Sequence, residues 1–293
     1  MANAGLIGIV TVTYNGEDVL QEFFDSLAAQ THRTFILYVV DNASQDQTLQ
    51  MSKQRADLNI VVIANSVNLG VAEGNNQGIQ AALADGCECV LLLNNDTVFP
   101  PDLVAQLYSG LDQHHCDMTT AKMYYHDQPT RIWCAGGRFR SWLGYQPRHT
   151  GIDQEDVGQY DVPRRVTYVP TCCLLVRASV FDRIGLMDSR YFVYFDDVDF
   201  MYRCMKGEVS LWYLPEAKLW HKVGSSTKTG STFCLHYGSR NRAYFIAKHC
   251  AGLQVFMLNL LCRTYFRLGC LIARNSREAY RTRLAAWIEG ERM

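Results

Sequence analysis

The stretch Leu91-Leu92-Leu93-Asn94-Asn95-Asp96 decides how this chain is read. With Val90 ahead of it, the apolar run is too short for a helix and reads as a strand buried on both faces. It stops abruptly at two amides and a carboxylate. Desolvating a carboxylate costs roughly several kcal/mol unless something pairs with it, so packing alone gives little reason for Asp96 to stand there. Open α/β sheets gather ligands at the carboxyl ends of their strands, and carboxylate oxygens suit hard cations. Turn capping ahead of Pro100-Pro101 is the plain alternative, and the neighbouring segments must arbitrate.

Three earlier segments repeat the pattern. Leu6 to Thr13 is an apolar, β-branched run ending at Tyr14-Asn15-Gly16. Residues 17–30 then place Val19, Leu20, Phe23, Phe24 and Leu27 on one helical stripe. Phe35 to Val40 ends at Asp41-Asn42, and Asn59 to Ala64 is followed by Asn68-Leu69-Gly70. A helix over 72–84 leads into a fourth strand, Cys87 to Leu93. This alternation predicts an α/β fold: a Rossmann-like, mostly parallel central sheet flanked by helices, with right-handed crossovers. The polar strand ends would then share one edge, where a nucleotide fits. No G-x-G-x-x-G follows the first strand and no P-loop signature is present.

Beyond Pro100-Pro101 the spacing predicts a helix to about His115 and a strand over 117–124. A Gly-rich aromatic hairpin over Trp133 to Tyr145 follows, then a polar loop over 151–164. Val166 to Arg177 reads as one strand, 196–206 as a helix closed by Gly207, Lys218 to Trp220 as a short strand-like segment, and everything from Ser231 as helical.

A net charge of −1 over 293 residues gives no basic signature for nucleic acid. The charge is uneven, however: from Arg240 onward ten Lys/Arg stand against three Asp/Glu. Within that tail, the apolar stretch 250–273 is interrupted by Arg263 and Arg267, leaving neither half with the roughly 20 residues a bilayer span needs. A core helix, an interfacial amphipathic helix and, as the remainder, a transmembrane helix stay open there. Eleven cysteines show no zinc-type pairing and suit buried free thiols. The first residues lack the basic and apolar regions of a signal peptide, so a cytoplasmic location is expected.

Two further constellations carry chemistry. Asp196, Asp197 and Asp199 open a helix directly after the aromatic run Tyr191-Phe192-Val193-Tyr194-Phe195. Helix capping explains one or two carboxylates, and the third suggests a pocket. His221 follows Trp220, and a neutral imidazole is a good partner for Asp96 on a divalent ion. Lys222, Lys228, Arg240 and Arg242 are candidates to meet a diphosphate, with solvated surface as the alternative.

In this order, these pieces resemble the family 2 inverting glycosyltransferases of the glycosyltransferase A fold, and among them bacterial rhamnosyltransferase-like members that build surface polysaccharide. The matching text is Val10 to Asn15, Val40 to Asp46, Asn68 to Gly78, Leu93 to Asp96, Phe192 to Asp199, and His221. The resemblance covers roughly residues 6 to 245. It implies a catalytic domain over 1–230, with a nucleotide-binding half (1–100) and an acceptor half (101–230), and a helical extension over 231–293. It further implies that Asp197 is the catalytic base. Thr13, Tyr14, Asn15, Asp41, Asn68, Gly70, Asn75, Asn95 and Asp96 would contact the nucleotide sugar, and Asp196, Trp133 and Cys172 the acceptor. Asp96 and His221 would hold Mn²⁺ or Mg²⁺. The implied donor is a dTDP- or UDP-linked sugar and the implied acceptor a glycan or lipid-linked glycan. A peripheral contact through 250–273 would sit at the inner face of the membrane. Two positions depart from the family pattern: Asn94 replaces the first acid of its D-x-D, and Asp196 replaces the commoner Glu. A non-catalytic binding module and a sugar-nucleotide nucleotidyltransferase remain as alternatives.

Overall fold

In the computed structural model, residues 5–223, 231–271 and 277–293 are described. Lys228 and the last two residues of the 250–273 stretch lie outside the described residues. The first half builds four parallel strands: β1 (Ile7–Thr13), β2 (Phe35–Asp41), β3 (Ile60–Ala64) and β4 (Cys89–Leu93), in the spatial order β3-β2-β1-β4. Helices α1 (Glu17–Ala28), α2 (Thr48–Gln54) and α3 (Val71–Ala84) connect them. The short α2 has no counterpart in the sequence reading, because its seven residues bury only Thr48 and Ser52 and so show no apolar stripe.

Burial on both faces explains the unbroken apolar runs. Leu20, Phe23, Phe24 and Leu27 of α1 pack on Ile7, Ile9, Leu37 and Leu91. Ile79 and Ala82 of α3 pack on Val10, Tyr38 and Leu92 across the sheet. The close approach of α3 depends on Gly78, where a Cβ would stand 2.3 Å from Val10 Cγ1.

The second half extends the same sheet with mixed polarity. After β5 (Thr97–Val98) and α4 (Leu103–Gln113) come β6 (Met118–Tyr125), β7 (Gln128–Cys134), β8 (Gly137–Arg140), β9 (Gln146–His149), β10 (Arg164–Val166) and β11 (Cys173–Arg177). Then follow α5 (Ala178–Ile184), α6 (Asp196–Lys206) and β12 (Leu211–His221). Strand β11 inserts antiparallel between β4 and β6, and β12 runs parallel to β6. Three expectations are corrected. The run Val166 to Arg177 is two strands with Pro170, which has no N–H to donate, between them. The hairpin is β8–β9, paired from Gly137 to His149, and Trp133 belongs to β7. The strand-like segment before His221 is the end of an 11-residue strand whose register shifts between Leu214 and Lys218, around Pro215.

The last third is helical: α7 (Thr232–His249), α8 (Gly252–Leu271) and α9 (Arg277–Gly290). Phe245 of α7 joins the core through Tyr202 and Phe195. Asp199 cements this contact. It is fully buried, and its oxygens accept from Arg203 Nε at 2.8 Å, Lys248 Nζ at 2.7 Å and His249 Nε2 at 2.6 Å. The third carboxylate of the acidic cluster therefore faces α7 and is not part of a pocket.

Burial pushes the Asp199 carboxyl up, but the hydrogen bonds from His249, Lys248 and Arg203 outweigh it and hold the pKa down to about 2. A depressed folded-state value contributes stability that is complete above the unfolded carboxyl's pKa of about 3.9 and vanishes as pH falls through the folded value. Asp199→Asn should destabilise the protein by about 3–5 kcal/mol at pH 7, since it strands buried cations. Urea unfolding repeated toward pH 2 should show the gap to wild type closing.

Candidate active site

The carboxyl ends of β1, β2 and β4 form one laced edge. Thr13 Oγ1 donates to Asp41 Oδ1 at 3.2 Å, and Ser44 N donates to Asp41 Oδ2 at 3.2 Å. Asn15, in the left-handed region at φ 50°, receives Gln45 N on its side-chain oxygen, while its own N–H donates to Ser44 Oγ. Asn95 lies against this turn: a Cβ on Gly16 would stand 2.7 Å from Asn95 Nδ2. Tyr14 leaves its ring half exposed at the edge. The buried Asp41, at the end of β2, and the half-exposed Tyr14 ring give this edge one carboxylate and one aromatic face.

The Asn68-Leu69-Gly70 turn closes the far side. Asn68 Oδ1 accepts from Gly70 N at 2.9 Å, and Asn42 Nδ2 donates to Gly70 O at 3.0 Å. Gly70 has φ 85°, and a Cβ there would collide with Phe192 O at 2.3 Å. This contact ties the turn to the acidic loop. Asn75 is buried against the 185–190 segment. It donates to Met187 Sδ at 3.7 Å, beside Asn76, which brackets the Met187 backbone.

Asp96 and His221 come together because β5 pairs with the end of β12, with Thr97 opposite His221. His221 Nε2 lies 3.1 Å from Asp96 Oδ1, both side chains are largely buried, and Lys222 N donates to the Asp96 carbonyl at 2.9 Å. His221 Nδ1 is buried and has no hydrogen-bond partner among the described residues. Asn94, where the family has its first acid, is exposed. Among the described residues no cluster of three or more His, Cys, Asp or Glu could hold a metal, so the chain itself offers a pair of donors.

The cations weighed for a diphosphate are mostly committed elsewhere. Lys222 pairs with Glu22 at 3.0 Å, Arg240 with Glu289 at 2.8 Å, and Arg242 lines a pocket among the C-terminal helices.

The acidic loop enters α6 through two consecutive left-handed residues, Tyr194 (φ 64°) and Phe195 (φ 68°). Asp197 Oδ2 accepts from Tyr168 OH at 2.6 Å and Oδ1 from Val198 N at 2.8 Å. Burial raises the Asp197 carboxyl, and these two donors work against the rise. Asp196, only 5% exposed, is raised by burial and then by the neighbouring Asp197 charge. The pair therefore divides its roles: Asp196 takes the proton first and Asp197 carries the charge. A helix start does favour ionisation, as the sequence suggests, but burial opposes it.

One continuous wall joins the two carboxylates. His221 meets Trp133 edge-on at 4.6 Å, Trp133 meets His149 at 5.1 Å, and His149 stacks on Tyr168 at 5.8 Å, which bonds Asp197. Cys172 lies behind this wall, its thiol raised first by burial and also by the charges of Asp96 and Asp197. Trp133 and Cys172 thus stand between Asp96 and Asp197. Tyr168 and His149 escaped sequence reasoning. Each is a lone polar aromatic, His149 ending β9 and Tyr168 lying between β10 and β11, and only tertiary packing brings them here.

Comparison with known proteins bears on family and fold. The profile described as "Glycosyl transferase family 2" matches residues 8–185. The chain is 26% identical to N-acetylglucosaminyl-diphospho-decaprenol L-rhamnosyltransferase of Mycobacterium tuberculosis, over 97% of this chain and 98% of that one. Staphylococcus aureus TarS (1–349), solved in complex with UDP, superposes with a TM-score of 0.58 at 19% identity, covering 98% of this chain and 80% of that one. GalNAc-T7, solved with UDP, GalNAc and Mn²⁺, gives a TM-score of 0.62 at 15% identity over 83% of this chain, which spans half the length of that protein.

Because the Tyr168 hydroxyl favours the charged form of Asp197, Tyr168→Phe should raise the pH at which Asp197 titrates. Carboxyl ¹³C NMR of aspartate-labelled protein reads this directly, and an unmoved or lowered titration would contradict the assignment.

Proposed function

The chain belongs to glycosyltransferase family 2, and we propose that it moves a sugar, rhamnose or a related hexose, from a dTDP- or UDP-linked donor to a hydroxyl of a lipid-linked glycan, with inversion. The observation that carries this reading is the continuous wall from Asp96 through His221, Trp133, His149 and Tyr168 to Asp197. It brings a diphosphate anchor and a general base within reach of one substrate pair. The rhamnosyl transfer and decaprenol-linked acceptor named for the mycobacterial relative support the choice of donor and acceptor class.

In this mechanism the nucleoside lies along the edge of β1 and β2, its base against Tyr14 and its ribose near Asp41. Thr13, Asn15, Asn68, Gly70 and Asn95 shape the groove around it. Asp197 accepts the acceptor hydroxyl's proton as the oxygen attacks the anomeric carbon from the face opposite the diphosphate. The bond to the diphosphate oxygen breaks as the new glycosidic bond forms, and that inverts the centre. Asp196, protonated beside it, is suited to donate a hydrogen bond to the acceptor, with Trp133 as an apolar platform. The acid limb of activity should therefore lie above the ordinary carboxylate range, because Asp197 must be ionised and burial raises it.

The donor set at Asp96 and His221, one carboxylate oxygen and one imidazole, fits Mn²⁺ or Mg²⁺ that completes its shell on donor phosphates. With Nε2 facing Asp96, the buried His221 Nδ1, which has no hydrogen-bond partner among the described residues, is the ring nitrogen left available to ligate the ion. When bound, the ion supplies charge neutralisation to the leaving diphosphate. In this reading the enzyme works at the inner face of the membrane; among the described residues no helix is long and apolar enough to cross it.

Asp197→Asn should lower transfer by about 10²–10⁴-fold, the usual weight of a general base, while calorimetry shows donor binding within about twofold of wild type. Transfer by that variant at the wild-type rate would refute the role. His221→Ala should abolish the extra thermal stabilisation that Mn²⁺ adds to UDP or dTDP binding, leaving the nucleotide's own contribution in place.

A further inference from the structure

We propose that the exposed face of α8, together with the tip and outer face of the β8–β9 hairpin, is a docking surface for an anionic lipid bilayer. The proposal rests on the glycosyltransferase reading only for its purpose, which is to bring a lipid-anchored acceptor to the Asp197 wall. The surface itself rests on α8. Leu253, Phe256, Leu260, Leu261, Tyr265 and Leu268 are all exposed, Leu253 at 74% and Tyr265 at 64%. At about 3.6 residues per turn they fall on one half of the helix. The other half is occupied: Leu258 and Phe266 are buried against Ala243, Ile246 and Trp287. The apolar residues are thus a continuous second face, not a misplaced core. Monomeric soluble proteins rarely leave a stripe of this length to water.

Charge selects the occupant. Arg263 stands at one edge of the stripe, and Arg267 falls within it, between Phe256 and Leu260 around the helix. Arg263 reaches Glu291 yet stays partly exposed, and Arg267 is exposed with no bonded partner among the described residues. An apolar face flanked and interrupted by arginines repels a second copy of itself and suits lipid phosphates.

The hairpin continues the surface. Gln254 Nε2 of α8 donates to Ser141 O at 2.8 Å, and a Cβ on Gly144 would stand 2.6 Å from Leu258 Cδ1, so hairpin tip and helix are in contact. At that tip Trp142 is 73% exposed, and an indole is favoured at the level of lipid headgroups. Phe139 packs inward on Tyr168 and Tyr202, so its neighbours Arg138 and Arg140 take the opposite face by strand alternation. Arg148 stands directly across from Arg138. Two like charges opposed on a short ladder are destabilising unless an anion lies between or over them. None of the three arginines has an ion-pair partner among the described residues. The hairpin's inner face meanwhile carries the contact to Tyr168, the donor to Asp197. The lipid-facing surface and the base are thus two sides of one hairpin.

Flotation of the full chain with vesicles of equimolar phosphatidylglycerol and phosphatidylcholine tests this. Wild-type protein should float at low salt, lose binding as salt rises, and float poorly with phosphatidylcholine alone. Phe256→Ser/Leu260→Ser/Leu261→Ser should reduce the bound fraction at least about tenfold with an unchanged melting temperature. Arg138→Glu/Arg148→Glu, on an exposed hairpin face, should reduce binding roughly tenfold and flatten its salt dependence, which keeps the test alive if the triple variant melts. Donor hydrolysis without vesicles should match wild type in both variants. Absent flotation, or variants that float like wild type, would overturn the proposal. So would a wild-type dimer that the triple variant turns into a monomer without any vesicle binding, because the face would then belong to a second copy. Flotation with no donor hydrolysis would instead count against the glycosyltransferase reading and leave the docking surface standing.

Discussion

A buried amide fastens one side of the acidic loop. Asn241 of α7 has no exposed surface and donates to Val193 O at 2.7 Å and Tyr194 O at 2.9 Å. Those carbonyls flank the two left-handed residues that turn the chain into α6, a conformation that costs about 1–3 kcal/mol per non-glycine residue. The strain persists because the surroundings over-determine it: Asn241 from one side, and Val71 N on Phe192 O at 2.7 Å from the other. Without this turn, Asp196 and Asp197 would enter the helix pointing elsewhere. The helical tail and the turn at Gly70 are therefore both part of what orients Asp196 and Asp197.

Three aspartates within four residues illustrate how environment assigns chemistry. Asp199 is enclosed by Arg203, Lys248 and His249 and stays ionised to about pH 2, where it fastens α6 to α7. Asp196 is also buried and has no cation partner among the described residues, so burial and the adjacent charge keep its proton on. Asp197 is half-buried, with a phenol and a backbone N–H as donors, and is the member whose charge is retained. Composition alone makes them equivalent. Their roles separate only when the neighbours from α7 and the hairpin arrive.

This contrast marks what was legible in the chain. Each strand of the first half ends its apolar run on a polar residue, so the sheet edge with Thr13, Asp41 and Asn95 could be read directly, and the α6 boundaries matched because Gly207 ends the helix. The antiparallel insertion of β11 was not legible, since a strand buried on both faces has the same apolar run in either direction. Tyr168 and Asn241 act through contacts 29 and 47 or more residues away, which no local pattern encodes. Asn75 shows the converse case. A motif residue at a plausible position is buried against Met187 instead, because the α3 face that carries it packs on the 185–190 segment.

The hairpin unites these points. Phe139, Pro147 and His149 give it an apolar inner side that rests on Tyr168 and Tyr202, while Arg138, Arg140 and Arg148 give it a cationic outer side. A two-stranded ribbon is marginal on its own and takes its stability from what it packs against. Anything that engages the outer side therefore bears on the packing of the inner side. Through His149 and Tyr168 that packing reaches the hydrogen bond that sets the charge of Asp197. The outer arginines and the Tyr168–Asp197 hydrogen bond are thus linked through one ribbon by contacts a few ångströms long.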